Sequence, residues 1–472
     1  MCNRCHVGSV GFPEDVEDAV SHFKHNRRYV AGAAVACLVL AGCGGVGGGG
    51  SEETAGGGAV LTTMGFGLVD EVAETRANLA NEAIAPSTVQ VGGSSFDAQQ
   101  FLSAVASKTP PDLVFMDRQL VGTYAARGTL MPLTECIEGQ GVDVEQYRPA
   151  AVQEVTLHGQ VYGLPEFFNN RVVMMNGATL EAAGLGPEAV STGDWDALAQ
   201  ATGQLAQRAP NGDLTRIGFD PKIPEFLPLW AKANGVDMIS PDGLTANLDD
   251  PRLVEALGYA AGLIEQQGGW GTFKAFRDSF DFFGEQNPVS ADQMVAWPME
   301  DWYLNQVASN SPDAALVVEP FRDRQGNPID WTTGSAWAIP QGSAHPDEAC
   351  TWIKTMSDAP SWIAAAKARV EARAAEGKAF TGLYTGNRVA DETIFNELVQ
   401  LDDKPVFAAA VQAVRDAQES AFSMPASPAG AEFRTAWQGA ANRVLEGRQP
   451  PAEALAQAQQ EAQAALDAAP RG

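Results

Sequence analysis

The feature that most constrains the fold of this chain is the alternation of short apolar runs with segments of helix length. The first run, at 59–64, is followed by a helical pattern at 69–85. A second run at 88–91, a helical pattern at 97–106 and a third run at 112–116 repeat the order. Strands of this length that alternate with helices predict a mainly parallel sheet covered by helices on both faces.

The alternation continues through the rest of the chain. Further strands are predicted at 171–175, 216–219, 314–318 and 335–339, and further helices at 194–208, 251–267, 347–356, 391–399 and 451–469. The predicted fold class is therefore α/β.

The N-terminal region carries the pattern of an exported lipoprotein. An apolar run at 29–40 follows basic residues and ends at Leu40-Ala41-Gly42-Cys43, which resembles the lipobox of bacterial lipoproteins. The run is shorter than the roughly 20 apolar residues that cross a bilayer. We therefore expect a leader with a lipoprotein signal peptide at 1–42, a lipid on Cys43, and a protein anchored outside the cytoplasm. The alternative is a chance cysteine after an ordinary signal or membrane helix.

A glycine-rich segment follows the predicted cleavage site. Residues 43–58 contain few apolar side chains, so they predict a flexible tether. The chain beyond the tether is long enough for two lobes with substantial cores.

Composition excludes several classes of partner and site. A formal net charge of −28 opposes binding to nucleic acid phosphates and to anionic lipid surfaces. No cysteine or histidine spacing indicates zinc, and no catalytic or nucleotide-binding motif stands out, so we expect no metal, no cofactor and no enzyme. Apart from Cys43, the exported chain keeps Cys136 and Cys350, which are either a disulfide or two buried thiols.

Several phrases in a fixed order resemble one family. They are PDLVFMD at 111–117, YAARGTLMPL at 124–133, VYGLP at 161–165, GSAWAIP at 334–340 and HPDEACTWIK at 345–354. Together they resemble the extracellular solute-binding proteins (family 1) of bacterial ABC importers, in the branch of maltose-binding and other sugar-binding lipoproteins. The resemblance covers roughly residues 59–465.

The resemblance implies a periplasmic-binding-protein fold with two α/β lobes joined by crossing hinge segments. Lobe one would comprise 59–150 plus 332–375, and lobe two 151–331 plus 376–472. A small-molecule ligand, in this branch a carbohydrate, would bind in the cleft of a monomer, and the lobes would close around it. ABC permease subunits in the membrane would then receive the ligand.

A sugar offers apolar ring faces and paired hydroxyls, so its site needs aromatic rings, carboxylates, amides or arginines just after strands. In lobe one, Phe66 follows the first strand. Asp117 and Arg118 follow the third strand and match an acidic–arginine pair that contacts sugar in maltose-binding relatives. The alternative for Phe66 is a core aromatic, and the alternative for Asp117 and Arg118 is a surface ion pair.

The second lobe and the crossing segments supply the other candidates. The resemblance implies that a tryptophan near Trp302 lies against the ligand and that glycine at the lobe crossing allows close approach. The alternative for each tryptophan is a place in a core. The remaining candidates are Glu166, Phe167, Asn169, Glu225, Trp297, Asp301, Gly334, Ser335, Trp337 and Arg388.

Two alternatives to a sugar receptor remain open at this stage. The acidic candidates and aromatic rings would also suit a polyamine, a peptide or another small cation. An exported glycoside hydrolase would need two carboxylates at a defined separation, and nothing in the sequence singles out such a pair.

Overall fold

In the computed structural model, residues 57–470 form two helix-flanked β-sheets and a short two-stranded sheet, in which residues 156–157 pair with 160–161. The structure describes these residues only. The predicted leader, Cys43 and nearly all of the predicted tether lie outside the described residues, as do residues 471–472. None of the helices in the described part of the chain combines the length and the apolar character that crossing a bilayer requires.

The described chain contains fourteen strands, most of them short. They are β1 (Val60–Met64), β2 (Thr88–Gln90), β3 (Leu113–Asp117), β4 (Thr156–Leu157), β5 (Gln160–Val161), β6 (Leu164–Pro165), β7 (Arg171–Asn176), β8 (Gln207–Arg208), β9 (Leu214–Phe219), β10 (Met294–Glu300), β11 (Leu316–Arg322), β12 (Pro328–Trp331), β13 (Ser335–Ala338) and β14 (Ala421–Phe422).

Seventeen α-helices lie between and after these strands in residues 57–470. They are α1 (Glu71–Ala83), α2 (Ala98–Ala106), α3 (Arg118–Ala126), α4 (Thr134–Gln140), α5 (Pro149–Glu154), α6 (Gly177–Ala182), α7 (Trp195–Leu205), α8 (Leu227–Ala233), α9 (Pro251–Glu265), α10 (Gly269–Arg277), α11 (Tyr303–Asn310), α12 (Pro346–Ser357), α13 (Ala359–Ala375), α14 (Arg388–Thr393), α15 (Pro405–Gln418), α16 (Gly430–Leu445) and α17 (Pro451–Ala468). Short 3-10 turns lie at Val144–Gln146 and Pro187–Val190, and a π-helical turn at Ile394–Leu398 follows α14.

Aspartates begin many of the helices. The carboxylate of Asp97 accepts a hydrogen bond from the Gln100 amide at 2.8 Å, and Asp194 accepts one from Ala197 at 3.1 Å. Each such cap satisfies an amide that has no partner inside the helix and is worth about 1 kcal/mol. Part of the acidic composition is therefore structural.

The smaller sheet has five strands in the order β2-β1-β3-β13-β6. The pairs β1–β2 and β1–β3 are parallel, whereas β13 runs antiparallel to β3 and to β6. The sheet is thus more mixed than the mainly parallel arrangement expected from the sequence, because β13 begins at the sheet edge where β3 ends. Ser335 accordingly lies opposite Asp117.

The larger sheet has seven strands in the order β14-β12-β11-β7-β10-β9-β8. Its central strand β7 is antiparallel to both neighbours, while β9–β10 and β12–β14 are parallel pairs. All six residues of β7 are buried, as expected for a strand covered on both faces.

Alternating side chains of the smaller sheet supply two cores. Leu113 of β3 and Trp337 of β13 face one core with α1 and α12, while Val114 and Met116 face the other with α2 and α3. A separate core surrounds the larger sheet and includes Trp230. We call the smaller sheet with its helices lobe one. We call the larger sheet with its helices lobe two.

Cys136 of α4 and Cys350 of α12 form a disulfide with an S–S distance of 2.05 Å. The structure thereby resolves the alternative that the sequence left open in favour of a bond. The two cysteines are 214 positions apart in sequence.

Candidate functional site

Three segments cross between the lobes and lie side by side, at 165–170, 331–335 and 383–387. Backbone hydrogen bonds join them: Asn169 N donates to Thr333 O at 3.0 Å, and Phe168 N donates to Tyr384 O at 3.1 Å. These segments form the hinge, the place at which the lobes can rotate against each other.

Gly334 lies at the tightest point of the hinge. Its φ of +153° is in a region that favours glycine, and a Cβ atom there would overlap the carbonyl oxygen of Phe167. The close approach seen here joins two crossing segments of this chain, whereas the prediction concerned an approach to the ligand. Whether Gly334 or Ser335 also contacts a ligand remains a prediction.

Arg171 gathers polar groups beside the hinge. Its Nη2 donates to Glu300 Oε1 at 2.7 Å and to Thr333 Oγ1 at 2.8 Å, and its Nη1 donates to Asn169 O at 3.0 Å. The guanidinium also lies 4.4 Å from the ring centroid of Trp331. Arg171 thus fixes one backbone carbonyl, one hydroxyl and one carboxylate in a small area at the base of lobe two.

Trp302 extends this polar group with an aromatic surface. Its Nε1 donates to Glu300 Oε2 at 2.6 Å. The indole is partly buried and lies parallel to the Phe283 ring, at a centroid distance of 6.2 Å and an interplanar angle of 10°. We define the hinge-side cluster as Asn169, Arg171, Glu300, Trp302 and Thr333. Of these, the sequence predicted only Asn169 and Trp302 as contacts.

Asp117 lies at the carboxyl end of β3, opposite Ser335. Its Oδ1 accepts a bond from the Gln119 amide at 3.0 Å, and its Oδ2 accepts one from Arg434 Nη1 at 2.6 Å. The Asp117 side chain is 37% exposed and the Arg434 side chain 32%. No local pattern indicated Arg434, which is far away in the chain and belongs to α16.

Glu225 is placed at the surface of lobe two, with its side chain 45% exposed. Arg277 Nη2 lies 3.7 Å from Glu225 Oε1. The same arginine donates to the buried Asp220 at 3.5 Å. Glu225 is therefore accessible, and its role in binding a ligand remains a prediction.

Arg118 and Glu166 are buried, although the sequence suggested both as ligand contacts. Arg118 Nε donates to Glu154 Oε2 at 2.6 Å, and its Nη1 donates to the Phe167 carbonyl. Glu166 accepts bonds from Arg76 Nη1 at 2.6 Å and Trp337 Nε1 at 2.7 Å. These pairs brace the crossing segments from within.

Burial dominates the electrostatics of the carboxylates near the hinge. It raises the pKa of Glu154 to about 7, against the opposing effect of Arg118, and raises the pKa of Asp330 to about 7. Asp301 is also fully enclosed, and burial raises its pKa well above the usual range even though the Asn170 amide donates to it at 2.7 Å. Asp301 therefore supports the Asn170 backbone from beneath the surface.

The other aromatic candidates lie inside the lobes. Phe66 is 5% exposed and Trp337 fully buried in the same core, with their ring centroids 4.9 Å apart. Trp297 is 1% exposed in the core of lobe two. Phe167 is partly buried and meets Trp362 edge to face at 5.0 Å. These placements match the core alternative, and a direct ligand contact by any of these rings remains a prediction.

Arg388 is exposed and directly follows the crossing segment 383–387. It lines a separate cavity of about 690 Å³, together with Tyr147, Gln153, Asp242 and Pro425. None of the other predicted site residues lines this cavity. Within residues 57–470, no group of three or more His, Cys, Asp or Glu side chains is placed to hold a metal ion.

Comparison with protein-family models identifies a family for this chain. The model of the bacterial extracellular solute-binding protein family matches residues 80–372. A search of curated protein sequences returned no match.

Similar solved structures cover nearly the whole described chain. CpMnBP1 with mannotriose bound has a TM-score of 0.69 at 23% identity, covering 85% of this chain and 99% of that one. An ABC transporter solute-binding protein from Thermotoga lettingae TMO, bound with α-D-tagatose, has a TM-score of 0.66 at 20% identity, with coverage of 86% and 99%. The GacH receptor of Streptomyces glaucescens has a TM-score of 0.65 at 17% identity, with coverage of 87% and 99%. These similarities confirm the predicted two-lobed α/β fold.

Proposed function

Because this chain belongs to the bacterial extracellular solute-binding protein family, we propose that it captures a sugar or oligosaccharide between its lobes and delivers it to the permease of an ABC importer. The hinge-side cluster carries this proposal. It places the Trp302 ring, the Glu300 carboxylate and the Thr333 hydroxyl together beside the hinge.

The chemistry of the cluster suits a polyhydroxylated ligand. An indole can cover the C–H face of a sugar ring, and carboxylate and amide groups can bond adjacent hydroxyls. Trp302 and Glu300 are already joined by a 2.6 Å hydrogen bond, so the ring and the carboxylate are held in place before a ligand arrives. Such preorganisation reduces the entropy that binding would otherwise lose.

The ligands of the similar proteins point the same way. CpMnBP1 has mannotriose bound, the Thermotoga lettingae protein has α-D-tagatose, and the GacH receptor is in complex with acarbose. We take these sugars as the first chemical class to test on this chain, without assigning any one of them.

A cationic ligand is the second candidate, and the ion pairs weigh against it. Glu300 already pairs with Arg171 at 2.7 Å, and Asp117 pairs with Arg434 at 2.6 Å. A cation would have to compete with these arginines for the carboxylates. A neutral hydroxylated ligand can instead accept from the arginines and donate to the carboxylates.

We also propose an extracytoplasmic monomer, attached to the cell membrane by a lipid on Cys43 through the tether at 43–58. In this proposal lobe one comprises 59–150 plus 332–375, and lobe two 151–331 plus 376–472. The chain from 151 to β6 (Leu164–Pro165) nevertheless ends in the smaller sheet, because β6 pairs with β13. The protein would bind its ligand without converting it, with no cofactor. The lipobox-like sequence and the family membership support this proposal.

A ligand screen tests the function. We expect mono- or oligosaccharides to raise the melting temperature of the purified protein, because a ligand that binds only the folded state stabilises it by mass action. Calorimetry should then give micromolar or tighter affinity, and chromatography should recover the sugar intact. Stabilisation by polyamines or peptides and by no carbohydrate would exclude the sugar assignment, and release of cleaved sugar would exclude a pure receptor.

A further inference from the structure

The aromatic surface of Trp302 continues onto a second ring, that of Phe283. The two rings are nearly parallel, with an interplanar angle of 10° and a centroid distance of 6.2 Å. Rings that lie directly over one another are separated by about 3.5–4 Å, the contact distance of carbon atoms. The rings of Trp302 and Phe283 are therefore displaced sideways, and together they present a wider aromatic surface than one indole does.

Core packing accounts for the phenylalanines that precede Phe283 but not for Phe283 itself. Phe280 and Phe282 pack against the core of lobe two, and the Phe282 ring also meets Tyr303 at a centroid distance of 6.0 Å. Phe283 is partly buried too, but it is not among the side chains packed against that core. In the part of the chain that the structure describes, Trp302 is its one aromatic neighbour. The Phe283 ring is thus placed by Trp302 rather than by the lobe interior.

Phe283 is brought to the same edge of the larger sheet as the hinge-side cluster. Asp220 directly follows β9 and Trp302 comes just after β10, and these two strands are parallel. Arg277, the last residue of α10, donates to Asp220 at 3.5 Å, so the chain enters segment 278–287 at this edge. Ligands of α/β sheets bind at the carboxyl ends of the strands. The position of Phe283 is therefore one at which a ligand can be met.

Hydrogen bonds hold the segment that carries Phe283 in place. Asn310 Nδ2 donates to the Phe283 carbonyl oxygen at 2.8 Å, and Asn287 Nδ2 donates to the Gly284 carbonyl oxygen at 3.3 Å. Asn310 is the last residue of α11, the helix that begins directly after Trp302. One helix thus positions both rings, so their relative placement exists before a ligand binds. Such preorganisation lowers the entropy that binding loses.

We propose that Phe283 and Trp302 form a two-ring platform on lobe two that receives two consecutive sugar units, so that the ligand is an oligosaccharide rather than a free monosaccharide. This inference rests on the proposed function and narrows it to one substrate class. One aromatic ring covers the C–H face of one sugar ring. A second ring, parallel and displaced sideways, suits the next unit of the chain, and a monosaccharide would leave it uncovered.

A second role for Phe283, as a support that only packs on Trp302, predicts a different dependence on ligand length. A support affects every ligand of Trp302 alike, because it acts through the Trp302 ring. The second half of a platform affects only ligands long enough to reach it. The affinities of short and long ligands therefore separate the two roles.

Replacement of Phe283 tests the platform with a matched control at the same position. Phe283→Ala removes the ring, whereas Phe283→Tyr keeps an aromatic face of the same shape. Calorimetry on the purified full chain would use the mono-, di- and trisaccharides of glucose, mannose, galactose and xylose, with α and β linkages.

In the unmodified protein and in Phe283→Tyr, we expect a di- or trisaccharide to bind at least about tenfold more tightly than its monosaccharide. Phe283→Ala should weaken that binding by at least about fivefold, the size of a lost aromatic contact, and leave monosaccharide affinity within about twofold.

Several results would overturn the platform. A monosaccharide that binds as tightly as any oligosaccharide would do so, and so would unchanged oligosaccharide affinity in Phe283→Ala. Equal weakening of short and long ligands would make Phe283 a support for Trp302. If the unmodified protein shows a normal melting curve but binds no carbohydrate of the set, the proposed function itself fails and the inference falls with it.

A second variant covers the case in which Phe283→Ala does not fold. Phe283→Leu keeps an apolar contact with Trp302 but has no ring face. It should show the same selective loss of oligosaccharide affinity, and full oligosaccharide affinity in Phe283→Leu would overturn the proposal.

Discussion

At the scale of single residues, two tryptophans five positions apart lie in different environments. Trp297 sits in the middle of β10 and is 1% exposed, so its ring is a core side chain. Trp302 follows the strand, remains partly exposed and holds Glu300 through its indole N–H. The end of β10 thus separates a residue that stabilises the lobe from one that can meet a ligand.

We predict that Trp302→Ala lowers ligand affinity by at least about 2 kcal/mol while changing stability little, because it removes an aromatic anchor at the surface of the core. Trp297→Ala should instead cost about 3–5 kcal/mol of the free energy of unfolding, because it leaves a cavity. Calorimetry with the identified ligand and urea denaturation check the pair. A large loss of stability with unchanged affinity for Trp302→Ala would make it a core residue.

The sequence indicated which residues follow strands, but it could not indicate which of them are buried. Arg118 and Glu166 look like accessible charges locally. They are enclosed because Glu154 and Arg76, 36 and 90 positions away, come to meet them. Arg434 was missed for the same reason, since its partner on β3 is 317 positions away. Ion pairs over such separations leave no local pattern.

At the scale of elements, strand β12 places a carboxylate where water cannot reach it. Asp330 is fully buried, and its Oδ1 accepts a bond from Arg171 N at 2.7 Å. Burial raises its pKa to about 7, above the ordinary value of 3.8. Between these values the folded protein keeps a proton that the unfolded chain has released. Asp330 therefore makes the free energy of unfolding fall as pH rises through that range, with a slope of up to about 1.4 kcal/mol per pH unit.

We predict that Asp330→Asn flattens this pH dependence, because an amide cannot ionise while its oxygen can still accept from Arg171. Urea denaturation at several pH values between 4 and 8 checks it. Asp403→Asn, at an exposed position, is the control and should leave the slope as it is in the unmodified protein. An identical slope in Asp330→Asn would contradict the assignment.

Periodicity predicted seven of the fourteen strands and seven of the seventeen helices in residues 57–470 to within a few residues, and the structure confirms those elements. Strand β10 was not predicted because Pro298 lies inside it, and proline lacks the amide that a strand interior normally uses. Helices α13 and α16 were missed because their many alanines blur the contrast between apolar and polar faces. Antiparallel pairing of β13 depends on the chain returning from lobe two, which no local signal records.

At the scale of the whole molecule, the proposed lipid anchor would hold the two ligand-binding lobes at the membrane. We predict that Cys43→Ser prevents incorporation of a labelled fatty acid and moves the protein from the membrane fraction to the medium or periplasm. Cys37→Ser, inside the preceding apolar run, is the matched control and should leave lipid incorporation intact. Lipid incorporation that persists in Cys43→Ser would contradict the proposed anchor.

The disulfide between α4 and α12 has a topological consequence. It joins two parts of lobe one that precede and follow the excursion of the chain through β7, β9, β10 and β11 of lobe two. The backbone from Cys136 to Cys350 is thus a covalent ring, and most of the larger sheet is part of it. A single protease cut anywhere in that ring would leave one molecule whose two fragments separate only after reduction.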